Sequence, residues 1–129
     1  MKRGFIIISL FLLLLACCTV EEIFLKQNLV KLQDKAISLK ENIENAEDIN
    51  SIEIQTQIKD LDKFWSETET YFCIIVNHIN MEEAGEQISK IKTLSKQNKK
   101  EETLVEVDLL IYFSESYEHL IVPNIQNIL

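Results

Sequence analysis

Apolar positions follow two regimes along this chain of 129 residues. Residues 4–20 (GFIIISLFLLLLACCTV) are an unbroken uncharged run, with Lys2 and Arg3 before it and Glu21 and Glu22 after it. From Leu25 onward the apolar residues recur only every third or fourth position. Leu25, Leu29, Leu32, Ala36, Leu39, Ile43 and Ala46 alternate steps of four and three, which is a heptad seam and predicts a helix over about 20–46, open to continuing from the apolar run. Asp48-Ile49-Asn50-Ser51 supplies cap-forming oxygens for a second helix over about 51–77, whose stripe is Ile54, Ile58, Leu61, Trp65, Thr68, Phe72 and Ile75. Asn80, three residues before Glu83, has the form of a capping box, and Met81, Ala84, Ile88, Ile91 and Leu94 predict a third helix to about residue 95. After the polar stretch 95–102, a fourth helix carries Leu104, Val107, Ile111, Ser114 and Leu120. The dense run 109–113 predicts burial of that helix on more than one side. Pro123 stops or kinks it, leaving a tail whose Ile125, Ile128 and Leu129 suit a half-turn cap on the bundle or a frayed end.

The expected fold is therefore all-α: a membrane anchor or lipoprotein signal over 1–20, then an antiparallel bundle of about four helices over 21–129. Two glycines and one proline leave no material for the tight turns of a β-protein or for a glycine-rich phosphate loop.

The apolar run sets an address. Each of its eleven Leu, Ile, Phe and Val residues gains roughly 0.3 to 0.6 kcal/mol on entering a bilayer, so the segment partitions into lipid. With both early charges ahead of it, the positive-inside rule keeps the N-terminus in the cytoplasm and sends the chain after Val20 across. The run is short, because seventeen helical residues reach roughly 25 Å against a hydrocarbon core of about 30 Å. Three fates stay open. The segment can span uncleaved, with Lys2 and Arg3 snorkelling and the bilayer thinning. It can be a cleaved signal, although Leu14-Leu15-Ala16 is a poor cleavage sequence. Or Leu14-Leu15-Ala16-Cys17 can serve as a lipobox, making Cys17 the candidate lipidation site, with Leu15 larger than is usual there.

Charge narrows the partners. The chain carries −8, and without Lys2 and Arg3 the remaining 11 basic and 21 acidic residues leave the exported part at −10. Such a field repels phosphate backbones, so no nucleic-acid partner is expected. The cluster Lys96-Gln97-Asn98-Lys99-Lys100 reads as a solvated loop. Cys73, inside an apolar stretch, reads as core filler, and no internal disulfide is required.

Catalytic patterns are missing. His78 and His119 stand in no nucleophile or triad context, and the residues three before them are Ile75 and Ser116 rather than the Glu a di-iron bundle uses. The pairs His78/Glu82 and Glu115/His119 have clamp spacing that arises readily in acidic helices. No enzyme, cofactor or metal is expected. Aromatics offer a binding alternative: Trp65, Tyr71 and Phe72 with Tyr112 and Phe113 could line a groove between the second and fourth helices for a partner helix or peptide, although core packing produces the same spacing.

The anchor, the long acidic helix, Trp65 leading to Ile75-Val76-Asn77-His78, Ile88-Ser89-Lys90-Ile91, the Lys-rich turn, Leu109-Leu110 and the terminal Asn127-Ile128-Leu129 together resemble a small bacterial family, the domain of unknown function four-three-six-three. Asn80, Pro123 and the paired cysteines depart from its pattern. The resemblance implies a membrane-anchored helical domain outside the cytoplasm of a bacterial cell and assigns no catalytic residues. The functional expectation is a non-catalytic accessory or scaffold that binds another membrane or envelope protein. The alternative is a lipoprotein or coiled-coil spacer that forms a homo-oligomer through the heptad seam.

Overall fold

A computed structural model describes residues 2–75 and 78–121, with side-chain surroundings for 3–72 and 81–117. All four elements are helices: α1 (Lys2–Asn45), α2 (Ile52–Ile75), α3 (His78–Lys96) and α4 (Lys100–Ile121). No strand occurs among the described residues. Consecutive helices pack on each other and α1 also packs on α4, closing a ring in which α1 faces α3, and α2 faces α4, only across the diagonal.

The stripes read from the sequence supply the core. Leu25, Leu29, Leu32, Ala36, Leu39 and Ile43 of α1, Ile54, Ile58, Leu61, Trp65 and Phe72 of α2, and Met81, Ala84, Ile88 and Ile91 of α3 are buried. Val107, Leu110 and Phe113 join them from α4. The seam of α1 is thus filled from within the same chain, with Leu32, Ala36 and Ile43 at 0% exposure. This corrects the expectation of self-pairing through that seam, since a side chain packed against α2 and α4 has no surface left for a second copy.

Register follows from polar ties along the α1–α4 edge. Gln33 Nε2 donates to Glu115 Oε1 at 3.0 Å, and Lys40 Nζ lies 2.7 Å from Asp108 Oδ1. A seven-residue advance on α1 matches a seven-residue retreat on α4, which requires antiparallel helices. Lys92 Nζ to Asp62 Oδ2 at 2.6 Å ties α3 to α2. Such exposed pairs each contribute well under about 1 kcal/mol and fix alignment more than stability.

Both turns at the far end are made by specific side chains. Asn98, with φ 55°, ends α3 in the left-handed conformation, while Lys99 N donates to Leu94 O at 3.1 Å and Asn98 N to Ser95 O at 3.0 Å. That pair of bonds is a Schellman termination, and Asn is among the few residues that accept its geometry. Asn98 Oδ1 also accepts a hydrogen bond from Ile49 N at 3.1 Å, joining the two turns. Lys100 Nζ donates to Glu44 O and Ala46 O, both at 2.8 Å, and satisfies carbonyls that the C-terminus of α1 would otherwise leave open. The lysine cluster expected as a solvated loop therefore contains a cap for α1. Asn80, expected to start α3, lies inside it, because the helix begins at His78.

One further expectation changes. The run 109–113 is one-sided: Leu110 and Phe113 are buried, but Leu109 and Tyr112 face solvent. Ala84 and Gly85 bring α3 close to α2, where a Cβ added at Gly85 would stand 3.3 Å from Trp65 Nε1. The tail from Pro123 to Leu129, the Val76-Asn77 step, and the side chains of Cys73, Ile75, His78, His119 and Leu120 lie outside the described set.

Leu32→Ala should cost about 2 to 5 kcal/mol, since its contacts are lost on every side, whereas Ile37→Ala on the same helix should cost less than about 0.5 kcal/mol. Urea unfolding in detergent, followed by the fluorescence of Trp65, measures both.

Candidate functional site

The first half of α1 is the feature that packing does not explain. Its 44 residues rise about 66 Å, but the bundle takes up only the part from Leu25 onward. Over residues 5–20 the helix is apolar on every face and none of the described residues buries it: Phe5, Leu10, Phe11, Leu12, Leu14 and Val20 are each more than half exposed. The most apolar 18-residue window has a mean hydropathy of 2.4 with none of it buried, so this is one helix long and apolar enough, by length and composition, to cross a membrane. A signal sequence near an N-terminus has the same properties. Cys17 and Cys18 are free and exposed on this segment, and Thr19 Oγ1 returns a hydrogen bond to Ala16 O at 2.8 Å.

Where α1 enters the bundle, α2 ends and α3 begins. Ile23, Phe24 and Tyr71 are exposed at this end, and the rings of Phe24 and Tyr71 meet edge to face with centroids 5.7 Å apart. Behind them lies an aromatic layer of the core. Trp65 stacks on Phe72 at 5.7 Å and meets Phe113 edge-on at 6.3 Å, and Phe113 leans on Tyr117 at 4.7 Å. The expected partner groove is corrected here. Trp65, Phe72 and Phe113 are 3%, 1% and 4% exposed, so they are core. Tyr71 and Tyr112 point outward from α2 and α4, which stand at opposite corners of the ring, and helices that meet only through the core cannot form a groove.

What α4 does offer is an outer stripe. Val105, Leu109 and Tyr112, spaced by four and three, are 57%, 43% and 69% exposed. Beside them, Ser89, Lys90, Thr93 and Leu94 of α3 form with Glu102, Val105 and Glu106 a shallow open groove of about 510 Å³. Lys90 Nζ stands 3.8 Å from Glu106 Oε2, so the groove is floored by an ion pair. Among the described residues, no group of three or more His, Cys, Asp or Glu side chains converges in a way that could hold a metal.

No family model matches the chain, and neither a curated protein nor a solved structure matches it.

Among the described residues, two ionisable groups shift in the same direction. Lys40 is held above its ordinary 10.5, first by its hydrogen bond to Asp108 and then by that carboxylate's charge. Tyr117 is held above 10.0, first by burial and then by Glu83. Both keep their proton more tightly in the folded chain, so the stability they contribute is fully present below the unfolded values and is lost as pH rises through the folded ones. Unfolding free energy should fall on the alkaline side of 10.0, and Tyr117→Phe and Lys40→Met should each flatten that fall in urea titrations over a pH series. Slopes unchanged in both variants would contradict the assignment.

Proposed function

We propose that this protein is a membrane-tethered helical module, with its bundle presented on the far side of a cell membrane, where it works by contact with another membrane or envelope protein. The observation that carries the reading is the segment 5–20, apolar on all sides and unburied, attached to a bundle whose core is complete without it. In water that surface is unfavourable by roughly 25 cal/mol per Å², and a bilayer is the solvent that removes the cost. Lys2 and Arg3 ahead of the segment support this orientation, because the basic flank of an apolar span stays on the cytoplasmic side. Contact rather than bond-making is supported by the outer stripe of α4, whose three apolar side chains are 43% to 69% exposed. A second reading is favoured by the exposed Cys17 after Leu14-Leu15-Ala16: a lipoprotein held by acyl chains on that thiol.

Reporter fusion separates inside from outside. An enzyme active only outside the cytoplasm, fused behind Leu129, should be active in the wild type, and Leu12→Arg should release the chain from the membrane fraction, because a mid-membrane arginine costs about 2.5 to 3.5 kcal/mol. Cys17→Ala leaves that result unchanged for a spanning anchor and abolishes fatty-acid labelling for a lipoprotein. An inactive reporter rejects the topology.

The contact role has its own measurement. Crosslinking in intact membranes should give a discrete larger species that Leu109→Ser with Tyr112→Ser removes, while stability changes by less than about 0.5 kcal/mol because both positions are exposed. A species that survives the double variant places the contact elsewhere.

A further inference from the structure

The apolar surface of α1 does not stop at Glu21 and Glu22. Ile23 and Phe24, 57% and 40% exposed, continue it for one more turn, and Tyr71 of α2, 55% exposed, joins Phe24 from the neighbouring helix. Residues 5–20 rise about 24 Å, whereas 5–24 rise about 30 Å, the thickness of a hydrocarbon core. The two acidic residues fall within the last turn and a half of that length, where a carboxylate reaches the headgroup layer. Tyrosine suits this depth, since its ring is apolar and its hydroxyl stays wet.

We propose that the bundle is seated on the bilayer rather than hung from it, with Ile23, Phe24 and Tyr71 immersed at headgroup level and completing the hydrophobic length that the continuous run lacks. This rests on the anchor reading above. Continuity decides the occupant: Ile23 and Phe24 lie on the same uninterrupted helix as the apolar segment, within about 6 Å of Val20 along its axis, and Tyr71 of α2 meets the Phe24 ring. Charge selects the lipid. Glu21, Glu22, Glu82 and Glu83 gather at this end of the bundle by its topology, so the surface fitted is zwitterionic rather than anionic.

The full chain in phosphatidylcholine vesicles tests this. In a Trp65→Phe background, Tyr71→Trp and Phe24→Trp should be quenched by lipid carrying a nitroxide near the glycerol and shielded from acrylamide. Ile52→Trp, at the far end, should show the reverse. Leu12→Trp, quenched by a nitroxide deep in the acyl chains, reports the anchor separately. If Leu12→Trp responds but Tyr71→Trp and Phe24→Trp behave like Ile52→Trp, the seating is overturned and the anchor stands. If Leu12→Trp fails to respond, the anchor itself is wrong. With Trp65 kept, Phe24→Ser with Tyr71→Ser should raise the fraction extracted by alkaline carbonate, whereas Ile52→Ser should not. Equal extraction of the two also overturns the seating.

Discussion

The whole structure depends on how α1 divides its apolar surface. Over residues 5–20 the apolar side chains go all the way round, and from Leu25 they contract to one stripe. A helix apolar on every face needs an apolar surrounding, and a helix apolar on one face needs neighbours on that face alone. One uninterrupted backbone thus joins two solvation problems. The second is solved inside the chain: α2 and α4 flank the stripe and α3 closes the ring. The first is left open, because no other described residue covers that segment.

That division also orders the bundle along its axis. At the end where α1 emerges, stability comes from rings: Trp65, Phe72, Phe113 and Tyr117 inside, Phe24 and Tyr71 outside. At the opposite end hydrogen bonds join the turns over the buried Ile43, Ile49, Ile54 and Ile91. Asn98 holds Ile49, Lys100 caps α1, and Gln55 Nε2 reaches both Ile49 O and Ser95 Oγ. Directional polar bonds fix the turns where short loops must reverse the chain. Large aromatic side chains fill the end from which the long helix leaves.

The stripes were legible because burial and helical geometry share one period. Nearly every position chosen by steps of three and four is buried, from Leu25 through Ile91. What the pattern cannot encode is which helices stand at a diagonal. Trp65 and Tyr112 both look like groove residues in one dimension, but the ring sends the first to the centre and the second to the outside. Asn98 and Lys100 were hidden for a related reason. Their partners lie about fifty residues away, across a turn whose closure no local motif announces. The run 109–113 misled because hydrophobicity records what a residue tolerates, and exposed Leu and Tyr are common on real surfaces.

Phe24 shows how the same ambiguity becomes informative. Judged alone, one exposed phenylalanine beside an exposed tyrosine is an ordinary surface feature. Its meaning comes from position, four residues beyond an apolar segment about 6 Å too short for its task. Burying the Phe24 ring against Tyr71 inside the bundle would have been the simple way to stabilise this corner. Instead both rings stay more than a third exposed and touch only edge to face. The geometry gives up core packing at the one place where the bundle meets its apolar stem, so the corner matches a neighbour supplied from outside the chain.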